Sequence, residues 1–460
     1  MLMRMTHRFR WLVVAIAVLS TPAGLRPSAQ SAGPDRSAHV VLISLDGFTA
    51  RALADPALPL PTLRRLAKDG ATAKVMTPAN PTVTWANHTS IISGVTPAKH
   101  GVIFNGLLVH EPGMPPKVEP WRDRAEMVHA PTLYDLAHAK GLTTAQVDWV
   151  AIWNAPTVTW EFRERPDPAN PISREMVAAG LVPQDDVDNF SSRNIVLRDR
   201  IWTDAAAHII TAHKPNLMMF HLLTLDSMQH RYGPDTLAAQ ETMAHLDAQV
   251  ADIVEAVRRA GILDQTTFVI VSDHGFKRVK RLINPNVALA KAGLVQVTDD
   301  KATHADAWIV PEGGSALAYV TVPDADGAKL AQVRSAVAGL EGVDKVVEPA
   351  DYASYGLPVP TVSDQMGPLF ITAKPGYAFT AALGNALVTD ATEGSFGAHG
   401  YVASDPELGA IFIASGRGIK AGVTLDSVRN IDVAPTLARL LGLELSNADG
   451  TVLTAILSGR

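Results

Sequence analysis

Cysteine is absent from all 460 residues. That excludes disulfides, thiolate metal sites, a cysteine nucleophile and a lipid-bearing cysteine behind an export signal. Basic runs are absent too, and the formal net charge is −6. A nucleic-acid polymer gathered by electrostatics needs a positive face, so none is expected as a structural partner. A small phosphorylated substrate is not excluded, because a metal site supplies positive charge locally. The N-terminal apolar run, Trp11–Ser20, has ten residues, too few to span a bilayer. With Arg4, His7, Arg8 and Arg10 before it and small residues after it, residues 1–32 read as an export signal cleaved between Ala23 and Ala32. The expectation is a periplasmic or secreted protein without a stable membrane anchor. An exported chain without cysteine fits a bacterial periplasm better than a eukaryotic secretory route. Neither internal repeats nor long low-complexity segments are visible.

Hydrophobic residues make up 47% of the chain, ample for a large core. The recurring pattern is an apolar strand, an acidic residue, then a helix. Val40–Leu45 ends at Asp46-Gly47, Met218–Leu225 ends at Asp226, and Phe268–Ser272 ends at Asp273-His274-Gly275. Ala410–Ala414 is a further apolar run. Helices are predicted over Pro61–Lys68, Trp85–Ile92, Gln240–Arg259 and Asp432–Leu441, the third from its apolar positions at helical spacing. Alternating strands and helices predict an α/β fold, a mostly parallel sheet flanked by helices. Ligands of such sheets gather at the carboxyl ends of strands, where Asp46, Asp226 and Asp273 all fall. The core is expected over 36–276 and 389–460, with an insertion or cap region at 107–193. A small α+β insertion subdomain is expected over 277–388.

Singly, each polar candidate has an ordinary structural explanation. Asp46-Gly47 reads as a turn, Asp226 and His230 as an acid and a histidine one helical turn apart, and His399 as a loop histidine between small residues. Adjacent Asp273 and His274 at a strand end are harder to explain by packing. Together, three carboxylates and three histidines are the oxygen and nitrogen ligands that zinc takes when thiolates are absent. Two such ions close together stabilise the attacking and the leaving oxygen in phosphoryl transfer. Thr84, directly before the predicted helix, reads as an N-cap or as a hydroxyl placed where an anion is welcome. Asn87-His88-Thr89 matches a glycosylation sequon by chance.

In order along the chain, VLISLDGF, TVTWANHTSIISGVTPAKHGVIFN, DSMQHRYGP, VSDHGF and GAHGY resemble the motifs of the type I phosphodiesterases and nucleotide pyrophosphatases, within the alkaline-phosphatase superfamily. The resemblance spans residues 41 to 401. It implies an alkaline-phosphatase-like core and two Zn²⁺ ions, with Mn²⁺ as the alternative that Asp and His ligands accept. Asp46, Thr84, Asp273 and His274 would bind one ion, and Asp226, His230 and His399 the other. Thr84 would attack phosphorus and form a phosphothreonine that water then hydrolyses. Asn105 would hold a non-bridging phosphate oxygen, and Asp432 would be a structural helix cap. Where the family often has Phe-Pro after the nucleophile, this chain has Trp85-Ala86. Trp85 then either stacks on a flat substrate group or packs against its surroundings.

Threonine-dependent phosphomonoesterases of the superfamily commonly carry a Lys-x-Arg or Lys-x-Lys pair after the strand that here reads TTAQVDW. This chain has Val150-Ala151-Ile152-Trp153 there, and Arg163 and Arg165 follow about ten residues later. An apolar, aromatic wall suits a small phosphodiester or nucleotide substrate, which carries one charge and two substituents. The alternatives are an alkaline-phosphatase-type phosphomonoesterase or phosphonate hydrolase on the same two-metal site, a phosphotransferase, and a metal-stabilised binding protein without turnover. A sulfatase is disfavoured, since those generally convert a cysteine to formylglycine.

Overall fold

The computed structural model describes residues 33–459, so the expected export signal at 1–32 lies outside the described residues. The described residues from Pro34 onward cluster as one unit. Six strands of the central sheet come first: β1 (His39–Leu45), β2 (Ala71–Ala73), β3 (Thr144–Val147), β4 (Trp160–Phe162), β5 (Leu217–Leu222) and β6 (Thr266–Val271). A separate antiparallel sheet follows, made of β7 (Ala307–Pro311), β8 (Ser315–Val320), β9 (Val343–Val347) and β10 (Leu369–Ala373). The chain then returns to the central sheet with β11 (Phe412–Gly416) and β12 (Val423–Leu425). The central order is β12-β2-β11-β6-β1-β5-β3-β4.

Within it, β11 alone runs antiparallel to its neighbours. No crossover helix leads into β11, so nothing forces the parallel direction that the other strands share. Every residue of β1, β5 and β6 is buried, which explains why they read as continuous apolar runs. Successive residues of β1 serve opposite faces: Val41, Ile43 and Leu45 join one core cluster, Val40 and Leu42 another.

The principal helices are α1 (Pro61–Asp69), α2 (Thr84–Ser93), α3 (Pro171–Ala178), α4 (Ile195–His213), α5 (Thr224–Tyr232), α6 (Leu237–Arg259), α7 (Ala328–Ala338) and α8 (Val433–Leu440). The first core cluster is closed by residues of α1, α4 and α6, the second by Ile91 and Ile92 of α2 and Leu437 of α8. Both faces of the sheet are therefore covered.

Two expectations need correction. The apolar run expected to reach Leu225 as a strand stops at Leu222, and α5 begins at Thr224, which puts Asp226 in a helical first turn. The cause is a remote cap. The Oδ1 and Oδ2 atoms of buried Asp199, on α4, accept from the backbone N–H groups of Leu223 and Thr224. An apolar N-cap residue, Leu223, thus starts a helix without a capping side chain of its own. The second correction concerns 107–193, which is not wholly an insertion, because it contributes β3 and β4 to the central sheet. These strands have only four and three residues, too short for a period to show.

Candidate metal centre

Strands β1 and β6 are adjacent and parallel, so the residues after them, Asp46 and Asp273-His274, emerge side by side. On the other side of β1 lies β5, whose following helix α5 carries Asp226 and His230. Gly47 turns the chain sharply at φ +71°, and a Cβ there would lie 2.9 Å from Gln229 Nε2. That conformation and the crowding by Gln229 and Phe276 favour glycine behind Asp46. Gly400, beside His399, has φ +80°, and its Cβ would overlap the Glu312 carbonyl oxygen at 1.5 Å.

All seven residues expected to bind metal converge. His274 Nε2 lies 3.1 Å from Asp273 Oδ2, 3.4 Å from Asp46 Oδ1 and 3.5 Å from Thr84 Oγ1. Around Asp226 Oδ1, His230 Nε2 stands at 3.4 Å and His399 Nε2 at 3.7 Å. Donors bonded tetrahedrally to zinc at about 2.0–2.1 Å stand about 3.3 Å from one another. Three buried carboxylate oxygens, Asp46 Oδ1, Asp226 Oδ1 and Asp273 Oδ2, lack any hydrogen-bond partner among the described residues. Buried carboxylate oxygens left so are costly unless a cation satisfies them. The imidazole tautomers agree. The Nδ1 atoms of His230, His274 and His399 lie 3.0, 3.1 and 2.8 Å from the backbone carbonyls of Gly397, Gly275 and Thr82. A carbonyl only accepts, so each Nδ1 carries the proton and each Nε2 lone pair is left for the cluster. The residues present fit a pair of divalent ions.

The electrostatics of the metal-free cluster lead to the same conclusion. Burial, with the charges of Asp273 and Asp226, pushes Asp46 up to about 8, although His221 and His274 oppose this. Burial works to lower His274, but the charge of Asp273 and its contact, with Asp46 and Asp226 behind them, raise it to about 9. Burial likewise opposes, without preventing, a raised His230 beside Asp226. His399 is pushed down to about 3, chiefly by burial and then by the His274 charge. Without metal, His274 therefore keeps a proton up to about pH 9, and an incoming ion must displace it. Because the proton is held more tightly than by a free imidazole, metal affinity is expected to rise with pH until about 9. Calorimetry in buffers of differing ionisation enthalpy counts the protons released. Flat affinity with no release would contradict the reading.

Behind the ligands lie three buried residues that the sequence did not single out. His221 stands between two carboxylates, with Nε2 3.0 Å from Asp46 Oδ2 and Nδ1 3.0 Å from Asp148 Oδ2. Burial opposes its protonation, but Asp148 and Asp46 raise its pKa well above the usual imidazole range. Asp148 follows β3 with φ +55°, an unusual conformation for a non-glycine residue. His88 donates from Nδ1 to the Thr84 carbonyl at 2.8 Å and sets its ring edge-on against Trp149 and His221. His221→Gln is expected to weaken zinc binding roughly 10- to 100-fold by loosening Asp46. Competition with a chromophoric chelator measures this, and unchanged affinity would exclude His221 from orienting the ligand.

Thr84 is the first residue of α2, and its N-cap is Val83. The capping role falls instead to Asn105, whose Oδ1 accepts from the Trp85 backbone N–H at 3.0 Å. Asn105 Nδ2 makes no hydrogen bond among the described residues, so it is available to an anion. Trp85 is buried against Val102, Met127, Val128, Val150 and Ala151. With Trp121, Trp149 and Trp153 it lines a narrow cavity beside α2. At its edge, the Arg163 guanidinium covers the Trp153 ring at 4.4 Å while Nη2 pairs with Glu161 at 2.6 Å. Arg165 lies over the Trp121 ring. Asp226, Ser227, His230, Arg231, Glu393 and Gly394 border a separate open cleft of ≈ 680 Å³.

Two remaining residues are structural. Asn87 is fully buried, with both polar atoms bonded to Ala79, Pro81, Val83 and Asn430, so its sequon is closed to a glycan. Asp432 occupies the N-cap position of α8 without capping it, and binds Arg429 and the Thr451 backbone N–H instead.

Comparison with known proteins follows the same lines. Human ectonucleotide pyrophosphatase/phosphodiesterase family member 7 is 23% identical over 451 residues, covering 97% of this chain and 88% of its own. The mouse family member 1 is 24% identical over 88% of this chain, which spans 41% of that longer protein. Human ectonucleotide pyrophosphatase/phosphodiesterase 5 has the same fold, with a TM-score of 0.69 at 18% identity over 92% of this chain and 100% of its own. The architecture is thus alkaline-phosphatase-like, with a mixed central sheet. Residues 40–402 match the family model described as type I phosphodiesterase / nucleotide pyrophosphatase, and the chain belongs to that family.

Proposed function

We propose that this protein is a two-metal phosphodiesterase or nucleotide pyrophosphatase acting through a phosphothreonine on Thr84. Family membership supports phosphodiester hydrolysis. The observation that carries this proposal is the set of orphaned oxygens of Asp46, Asp226 and Asp273 beside the Nε2 atoms of His230, His274 and His399, with Thr84 Oγ1 among them. Asp46, Asp273, His274 and Thr84 would hold one ion, and Asp226, His230 and His399 the other. When bound, the ions supply positive charge that acidifies the threonine hydroxyl and neutralises the phosphate. Zinc is the ion proposed, with manganese accepted by the same donors.

Thr84 Oγ1, giving up its proton, attacks phosphorus while the bond to one ester oxygen breaks and that group leaves as an alcohol or phosphate. The phosphothreonine keeps the second substituent until water cleaves its bond to Thr84 and releases a phosphate monoester. Asn105, braced by the Trp85 N–H, offers Nδ2 to a non-bridging oxygen. Diesters are favoured over monoesters because the wall at Val150–Trp153 carries no cation of its own, and the nearby Arg163 is already paired with Glu161. A second phosphate charge would find no side chain there to neutralise it. The tryptophan-lined side suits a flat substituent, and the murine family member 5 has been captured with AMP in an inactive form. Export by a signal in residues 1–32 and a 277–388 insertion subdomain belong to the same proposal. Among the described residues, no helix is long and apolar enough to cross a membrane.

With bis(p-nitrophenyl) phosphate and p-nitrophenyl phosphate as substrates, kcat/KM is expected to favour the diester by on the order of 100-fold, a factor that one unneutralised charge accounts for. A preference for the monoester would overturn the substrate assignment while leaving the metal centre intact.

A further inference from the structure

A second cluster of metal-binding side chains lies outside the reaction centre. Glu175, on α3, and His208 and His213, on α4, bring their donor atoms within 4.8 Å of one another. Both His208 Nε2 and His213 Nε2 stand 2.8 Å from one oxygen, Glu175 Oε2. Helix geometry does not explain this convergence. A five-residue spacing separates two side chains by about 140° around a helix axis. His213 is the last residue of α4, and the chain leaves the helix at Lys214 with φ +49°, in the left-handed region. The His213 ring is further fixed by stacking on Trp160, with centroids 4.8 Å apart.

We infer that Glu175, His208 and His213 form a separate binding site for a zinc-type divalent ion, which fastens α3 to the end of α4. Two imidazole nitrogens and one carboxylate oxygen are donors for zinc and its first-row neighbours. They are a poor match for calcium or magnesium, which take oxygen. The helix end adds to this, since the last turn of α4 presents the negative pole of the helix dipole to the ion. The three side chains are 38%, 16% and 21% exposed, open enough for an ion to enter and sheltered enough to hold it. Both imidazoles would bind through Nε2 with the proton on Nδ1, and a fourth position is left for water. The ion would stiffen the helix whose Asp199 caps α5, at a distance from the chemistry itself.

The inference does not depend on the proposed reaction. Its test is metal stoichiometry, measured by elemental analysis after equilibration of the full chain with limiting free zinc. The double variant His208→Gln/His213→Gln can still hydrogen-bond to Glu175. It is expected to hold one equivalent fewer than wild type, with kcat and KM on a diester unchanged. A reaction-centre variant, Asp226→Asn/His230→Ala, is expected to keep the equivalent that the glutamine variant loses. Equal stoichiometry in wild type and the glutamine variant would overturn the site and show two imidazoles merely donating to a carboxylate. An extra equivalent at Glu175 in a protein whose reaction centre binds nothing would instead overturn the proposed function alone.

Discussion

Thr84→Ala is expected to reduce turnover by on the order of 10⁴-fold or more, the scale seen when a nucleophile is removed from a site that otherwise remains assembled. Metal content is expected to change little. Six of the seven candidate ligand side chains are untouched, and Thr84 Oγ1 stands 3.5 Å from His274 Nε2, at the rim of the cluster. The fold should tolerate the change as well. Thr84 performs no capping, since Val83 is the N-cap residue and Asn105 satisfies the Trp85 N–H from across the site. Loss of a methyl and a hydroxyl at the first position of α2 therefore leaves the helix start intact. The outcome separates three readings. Loss of turnover with retained metal identifies a nucleophile, loss of both identifies a structural threonine, and loss of neither identifies a binding protein without turnover. Acid quench of the wild type during turnover should trap on Thr84 a phosphoryl group that still carries the diester's second substituent, and its absence under saturating diester would refute the covalent step.

The candidate ligands could be picked out in the sequence because each sits directly after a strand or in a short motif whose spacing survives folding. Asp46 and Asp273-His274 end fully buried strands, and Asp226 and His230 are one helical turn apart. The residues behind them were not legible, for a topological reason. His221 lies inside an apolar strand, where it reads as one polar interruption. Its meaning comes from the order β1-β5-β3, which sets Ser44 opposite His221 on one side and Val147 opposite Phe220 on the other. That order brings Asp46 and Asp148, 102 positions apart in the sequence, to the two nitrogens of one ring. Remote caps are hidden in the same way. Asp199 lies mid-helix and Asn105 in a loop, yet each starts a helix elsewhere in the chain. Glu175, His208 and His213 had no motif at all, because two helices and a left-handed exit at Lys214 had to be in place first.

Removing the metals should abolish activity and also destabilise the protein, and the pH dependence of that loss distinguishes a metal centre from an ordinary ion-pair cluster. Ions bound only by the native state stabilise it by mass action, so exhaustive chelation is expected to lower Tm by on the order of 10 °C. Zinc or manganese should restore both properties. In the stripped protein, Asp46 is buried beside Asp273 and Asp226, which raises its pKa from 3.8 to about 8. A carboxyl raised in the folded state contributes its stability below the unfolded value and loses it as pH rises through the folded one. The metal-free protein should therefore lose stability from this residue between about pH 4 and 8, the interval in which the unfolded chain ionises this carboxyl while the fold holds it protonated. Asp46→Asn keeps an oxygen to accept from His221 Nε2, now 3.0 Å from Asp46 Oδ2, and cannot ionise beside Asp273 and Asp226. It is expected to flatten the pH dependence of the stripped protein and to leave its Tm at neutral pH equal or higher than that of stripped wild type. With metal present the order should reverse, because the variant lacks the negatively charged donor that Asp46 would offer to the ion. Thermal melts of both proteins, with and without chelator across that pH range, decide the matter. A variant less stable than wild type in both states would show that Asp46 serves the fold and not the ion.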